Sequence, residues 1–516
     1  AFPAAGWEPF FGKEDMRAVA LGHFADSMVP LHGYRQVEDL RDDSMLWDVS
    51  SKFDKASGVY CGPGLWFNRK TERIHVRLAH TTLAGLGDRH YRGETDPRKL
   101  ALCVSGPYGA DALRINGVSN VVLRDIEVRG ASGSPLVNLY GSENVTLDGL
   151  TLHGGSPGLL AKASSKVRIV NCAFRGLAAP WSSRASMKYR GTPSYRLITQ
   201  RNKPLNKDWE ISHCEFTDDH DGIWIRYVDG LNFHHNYFDH FNDDGIEVGA
   251  RKRDHLLHIH QNLISRCALT LTLHEMETDE GAHEVDEGRG VFVMRNVIDL
   301  RGGILKYLPK EEDPSGAYMK SPGALAGDHG SPIWPDYHFY HNTVIRPNGA
   351  WRGYYGHGIG GRGTRGNRRS LLNNCFVQLE GLPGLNFSSV PEGYEIDGNL
   401  HWGLLDGPSY KGDFFKQMGR RMAFRKMPYP EHWMRNDVFA DPKFRKLTSG
   451  WGDDFDLSLK RGSPAENVGV KVPEKWPDPL RASDPGRPDL GAMPMGTKPW
   501  RVGIRGRLDL NGKQVD

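Results

Sequence analysis

Residues 221–225 read Asp-Gly-Ile-Trp-Ile, and residues 243–248 read Asp-Asp-Gly-Ile-Glu-Val. In both, Asp-Gly is followed by apolar-x-apolar, the two Asp-Gly pairs begin 23 positions apart (221 and 244), and each follows another apolar-x-apolar run. Strand-like units recurring at a period of twenty-odd residues are the coils of a solenoid, each coil contacting only its neighbours.

Outward from this pair, an eight-residue phrase, apolar-x-apolar-x-polar-x-x-apolar, can be placed nine times. It starts at Val121 (VVLRDIEV), Val145 (VTLDGLTL), Val167 (VRIVNCAF), Trp209 (WEISHCEF) and Leu231 (LNFHHNYF). It continues at Leu257 (LHIHQNLI), Val291 (VFVMRNVI), Tyr337 (YHFYHNTV) and, with a serine leading, Ser370 (SLLNNCFV). The starts are 24, 22, 42, 22, 26, 34, 46 and 33 residues apart. The longer intervals are one coil, or two, carrying an inserted loop. The sixth position is Cys172, Cys214, Asn236, Asn262, Asn296, Asn342 and Cys375 in successive copies. A side chain repeated at one corner of every coil stacks on its own kind, and asparagine amides form hydrogen-bonded ladders there. The expected fold is therefore all-β, a right-handed parallel β-helix over residues 109–400. An N-terminal cap or accessory region (1–108) and a C-terminal cap with an extended tail (401–516) flank it. Residues 64–67 and 73–78 read as a short hairpin within the first.

Composition agrees with many short strands: 61 Gly and 31 Pro are turn-rich and poor in helix formers. Lys plus Arg (66) nearly balance Asp plus Glu (63), so the net charge of +3 carries no global nucleic-acid signature. No run of apolar residues is long enough to span a membrane. The six cysteines contain no C-x-x-C pair, which argues against structural zinc and against a disulfide framework. The chain opens Ala1-Phe2-Pro3 without an initiator methionine, as a mature secreted or periplasmic protein does after signal removal. Oligomeric state is left open.

Alternation along a strand assigns faces. With Ile223 and Ile225 inward, Trp224 and Arg226 point out; with Ile246 and Val248 inward, Glu247 points out beside Trp224. In the following coil Leu269, Leu271 and Leu273 fill the core and leave Thr270, Thr272 and His274 outside. Asp221 and Asp244 then sit at the corner where this strand begins, one rung (about 4.7–4.9 Å) apart, with Asp243 one residue to the side. Carboxylates that close resist joint ionisation, and an acid held protonated beside an ionised base is what cleaves glycosidic bonds. The plainer reading of the same aspartates is Asx turns or a calcium site.

The segments His220-Asp221-Gly222 and Asn242-Asp243-Asp244-Gly245, one coil apart, resemble motifs of polygalacturonase-type glycoside hydrolases. The resemblance implies an inverting hydrolase with Asp244 or Asp221 as general acid, the remaining aspartates activating water, and Lys306 binding a substrate carboxylate. That family's Gly-His-Gly is replaced here by Cys267-Ala268-Leu269-Thr270-Leu271. A second string, Asp218-Asp219-His220-Asp221, is similar to a motif of alginate C5-epimerases, which share their fold with polysaccharide lyases. It implies removal of a uronate C5 proton by a base, with a second group neutralising the carboxylate, and His220, His274, Arg226 and Lys306 are the candidates for those parts. A third reading is a carbohydrate-binding solenoid without catalysis.

Two insertions are basic and bear aromatics or lie beside them: residues 178–207, with Arg184, Lys188, Arg190, Arg196, Arg201, Lys203 and Lys207, and residues 351–369, with Arg352, Tyr354 and Tyr355. They point to an anionic polymer as partner. The candidate catalytic set is Asp221, Asp243, Asp244, Glu247 and His220; the candidate binding set is Trp224, Arg226, His274, Lys306, Arg190 and Arg352. No metal set is assigned (His258-x-His260 is a minor pair), and calcium is the one cofactor to be checked.

Overall fold

The computed structural model describes residues 8–11, 29–30, 32–33, 36–41, 63–78, 94–99, 103–105, 111–130, 134–155, 157–176, 196–200, 205–225, 227–249, 255–273, 286–301, 323–327, 336–348, 368–380, 393–407, 411, 431–450 and 452–515. Strand pairing along the repeat is parallel throughout. The first halves of the phrases stack into one ten-stranded sheet, in which Val121, Val145, Val167, Trp209, Leu231, Leu257, Val291 and Tyr337 pair one above another. Eight of the nine phrases are thus in register, and every long interval is a single coil with an insertion. The architecture is a parallel β-helix, as the repeat requires.

The ninth phrase is displaced by one residue. Tyr337 pairs with Arg369, not with Ser370, and Arg369 pairs in turn with Tyr394, which begins a tenth copy. The apolar rule fails here because a buried arginine, 1% exposed, occupies an inward position with its guanidinium 5.2 Å from the Tyr394 ring centroid. Burial lowers its pKa to about 10. Corrected by one residue, the sixth position becomes Asn374 rather than Cys375, and Asn399 follows it. The amide ladder then runs unbroken: the Nδ2 of Asn236, Asn262, Asn296, Asn342 and Asn374 each donates to the Oδ1 of the next asparagine at 2.9–3.1 Å. All six amides are fully buried, so each satisfied donor and acceptor matters.

The fifth position explains the bend that follows each of these strands. Asp125, Asn171, His213, His235, Gln261, Arg295, His341 and Asn373 all have φ between 52° and 56°, with Gly149 and Gly398 in the remaining copies. That left-handed corner favours Asn, Asp, His and Gly, which is why those residues recur there. The strands after the bend line the other two faces, which form one seventeen-stranded sheet because Tyr237–Val248 and Leu263–Leu273 run across the corner between them. Inside the tube Phe174, Phe216 and Phe238 stack at 4.9 and 4.5 Å, each buried ring contributing roughly 1.5–3 kcal/mol.

Gly64–Asn68 and Arg73–Arg77 form the antiparallel hairpin expected of them. The coil stack continues past residue 400, since Leu400–Gly403 pairs in parallel with Val438–Phe439. The C-terminal tail then returns along the outside of the tube. Arg295 ties to Asp478 and Asp484 at 2.8–3.0 Å, Gly503 N–H donates to the His235 carbonyl at 3.0 Å, and Arg505 reaches Asp125 at 3.2 Å. Its firmest anchor is Glu215, fully buried, which accepts from Arg507 (2.6 Å twice) and Arg175 (2.6 Å). Burial alone would raise the Glu215 pKa, but the two guanidiniums outweigh it and hold the carboxyl below its usual range.

Candidate active site

The corner that leads into the site is left-handed in three successive coils, at Asp218, His240 and Arg266 (φ 66°, 66° and 43°). Buried polar contacts fasten it: His240 Nδ1 lies 2.9 Å from Asp218 Oδ1, and Arg266 grips Asp239 through Nε at 2.7 Å and a second guanidinium nitrogen. Beyond the corner, Asp221–Ile225 pairs with Tyr237–Val248 so that Ile223 meets Ile246, Trp224 meets Glu247 and Ile225 meets Val248. The isoleucines and the valine enter the core, as alternation requires.

The glycines of the two Asp-Gly pairs let these rungs approach. A Cβ on Gly222 would lie 2.2 Å from the Gly245 carbonyl oxygen, and one on Gly245 would lie 3.0 Å from Cys267 Sγ. The close approach sets the two preceding carboxylates side by side: Asp244 N–H donates to Asp221 Oδ1 at 3.3 Å. Glu247 joins them, so that one oxygen from each of Asp221, Asp244 and Glu247 lies within 4.8 Å of the others. The three are 1–2% exposed. Glu247 therefore leaves the core but does not reach open solvent.

Arg196 covers the cluster. Its Nε is 3.3 Å from Asp221 Oδ2, a second guanidinium nitrogen is 3.4 Å from Glu247 Oε1, and its guanidinium carbon stands 4.2 Å from the Trp224 ring centroid. From the next coil Thr272 donates its hydroxyl to Asp244. His220 is fully buried behind the cluster, with Nε2 3.7 Å from Asp221 Oδ1. It touches Asp221, and its backbone N–H is held by Asp219 Oδ1 at 2.7 Å.

Of the candidate residues, Asp221, Asp244, Glu247, Trp224 and His220 are brought together. Asp243 lies in the strand Tyr237–Val248 with its side chain outside the described residues, and Arg226, His274, Lys306, Arg190 and Arg352 also lie outside them. Arg196 is the member that sequence reasoning left in a basic loop. The structure corrects this: Arg196–Gln200 is a strand within the 178–207 insertion, pairing Arg196 with Asp221 and Ile198 with Ile223. Its signal was the apolar pair Leu197-Ile198, the only hint that the insertion contains the third strand of its coil.

Chemically, three carboxylates in one enclosure can share a proton, bind a hard divalent cation such as calcium, or hold a cation from the chain. Arg196 supplies that positive charge to two of the three. Residues 111–303 match the family model described as "Right handed beta helix region", which spans Arg196 and all three acids and gives the coil its right-handed sense. No curated protein matches the chain. Among the described residues no helix is long and apolar enough to cross a membrane.

Proposed function

We propose that the chain is a polysaccharide hydrolase whose acid and base are drawn from Asp221, Asp244 and Glu247. The observation that carries this reading is the convergence of three carboxylates from two adjacent rungs, within 4.8 Å, beneath one guanidinium. Carboxylates this close to one another resist joint ionisation, and an acid beside an ionised base is what glycosidic hydrolysis uses. Asp221, ion-paired to Arg196, is the member suited to stay ionised and accept a proton from water. Asp244, crowded by the carboxylates of Asp221 and Glu247, is suited to hold a proton and deliver it to the glycosidic oxygen. In that assignment the proton leaves the acid for the departing sugar, water adds to the anomeric carbon, and the water's proton passes to the base.

Enclosure of the acids gives Arg196 a second task. At 20% side-chain exposure it is the outer wall of the cluster together with Trp224. An anionic sugar competes with Asp221 and Glu247 for the guanidinium, and drawing Arg196 outward opens the carboxylates to the substrate. Of the candidate bases of the epimerase or lyase reading, His220 is fully buried beside Asp221, and His274, Arg226 and Lys306 lie outside the described residues. The experiment is product analysis on a panel of acidic polysaccharides. New reducing ends without absorbance near the enone band support hydrolysis; matched growth of both signals means β-elimination and overturns it.

A further inference from the structure

The face that carries the acids continues toward the N-terminal coils. Glu247, Trp224, Thr199, Leu160, Asn138 and Arg114 pair in sequence down one outward column. Lys162, Tyr140 and Asn116 form a second column beside its lower part. These lower residues line a cleft of about 340 Å³, within the usual size of ligand sites. Leu160 lies three rungs below Glu247 and Asn138 lies four below, so the cleft begins roughly 14–19 Å from the acids along the same sheet.

The chemistry of the cleft is specific. Tyr140 is 43% exposed and offers its ring for stacking on a sugar face. Lys162 holds its ammonium 5.7 Å from that ring's centroid, and among the described residues it forms no ion pair. Asp111, its side chain 9% exposed, fixes the other wall: Oδ2 accepts from Arg114 at 2.9 Å and from Asn138 Nδ2 at 2.8 Å. Arg114, Lys162 and Asp111 sum to one positive charge beside a flat apolar ring, with amides of Asn116 and Asn138 at the edge. That combination fits a sugar ring stacked on Tyr140 with its carboxylate or sulfate on Lys162 and Arg114.

We infer that this cleft is a distal binding site for an acidic sugar of the same polymer chain whose glycosidic bond lies at Asp221, Asp244 and Glu247. The inference rests on the polysaccharide reading above and adds to it the substrate's charge and the direction in which it lies, along the solenoid axis. A chain bound this way spans several rungs, so short oligosaccharides engage one site only and long ones gain from both.

The test uses the full chain carrying Asp244→Asn, so that binding is separated from turnover, with alginate oligosaccharides, chondroitin sulfate oligosaccharides and neutral dextran as probes in calorimetric titrations. Adding Tyr140→Ala or Lys162→Ala is expected to weaken binding of a long acidic oligosaccharide by about tenfold each, with Lys162→Arg restoring most of the loss. Alginate and chondroitin sulfate distinguish a carboxylate from a sulfate as the group bound. Affinities unchanged by both alanine substitutions, binding of dextran equal to that of the acidic probes, or no binding of any probe to the parent overturns the inference. Tyr140 is exposed and Lys162 half-buried, and an unaltered melting temperature separates a lost contact from a lost fold. Failure of the wild type to release reducing ends, with the variant-sensitive binding intact, refutes hydrolysis and leaves the distal site standing.

Discussion

Replacing Arg507 by alanine removes one of two guanidiniums from a carboxylate that has no access to water. Glu215 is fully buried, and Arg507 contributes two contacts of 2.6 Å to it while Arg175 contributes another. Breaking a buried pair outright costs about 3–5 kcal/mol. Here Arg175 remains to balance the charge and Arg507 is itself 29% exposed, so the expected loss is about 2–3 kcal/mol. The loss should be felt first in the tail, whose polar ties to the coils centre on Glu215 and run through Arg507, Ile504 and Gly503, while Val502, Leu508 and Leu510 stay packed in one apolar cluster with Tyr237 and Leu263. Hydrogen exchange should show amides of residues 502–515 losing protection before those of the inner strands, with urea denaturation giving the magnitude. The pH dependence has a fixed sign. Glu215 has a depressed pKa in the folded chain, so its contribution is present above the ordinary carboxylate pKa and is lost as pH falls through the folded value. The gap between wild type and Arg507→Ala should therefore narrow in acid. A variant within about 0.5 kcal/mol of wild type, the usual range of surface substitutions, or a tail whose protection is unchanged, would refute the reasoning.

Other outcomes follow from the same geometry. Asn296→Ala takes the Oδ1 acceptor from the Asn262 backbone N–H and side-chain amide and the Nδ2 donor from the Ile259 and Met294 carbonyls in a dry corner, and thermal or urea melts should show a loss of about 2–4 kcal/mol. His235 and His260 are held neutral, chiefly by burial and then by His234, with pKa values lowered to about 3. Because the unfolded chain protonates them first, stability should be full above about pH 6.5 and fall toward pH 3, by at most about 1.4 kcal/mol per pH unit for each; a melting temperature flat across that window contradicts this. Gly222→Ala drives a methyl into the Gly245 carbonyl at 2.2 Å, so the variant should lose soluble folded protein or, if it folds, most of its turnover.

What could be read from the chain alone was whatever repeats. The phrase period fixed the pairing of eight strands, and the asparagine column followed because a ladder needs one residue type at one corner. Asp221 and Asp244 were placed side by side because their interval is one coil. What escaped lacked periodicity. Arg369 broke the apolar pattern and shifted the last phrase by one residue, since a guanidinium packed against Tyr394 substitutes for an apolar side chain. Arg196 sat in an insertion whose strand is only five residues long, Arg196–Gln200, and whose charge resembled that of its loop. The tail's anchors join residues as far apart as Arg295 and Asp478 or Glu215 and Arg507, and nothing in local spacing announces such contacts.

The most direct measurement of the central claim is the turnover of Asp244→Asn beside wild type on an acidic polysaccharide that the wild type cleaves. The substitution keeps the shape and the hydrogen bond to Thr272 but removes the exchangeable proton. The variant should melt as wild type does and turn over about 10²–10⁴-fold more slowly. A folded Asp244→Asn protein that turns over as fast as wild type would contradict that claim and return the three carboxylates to a purely structural role.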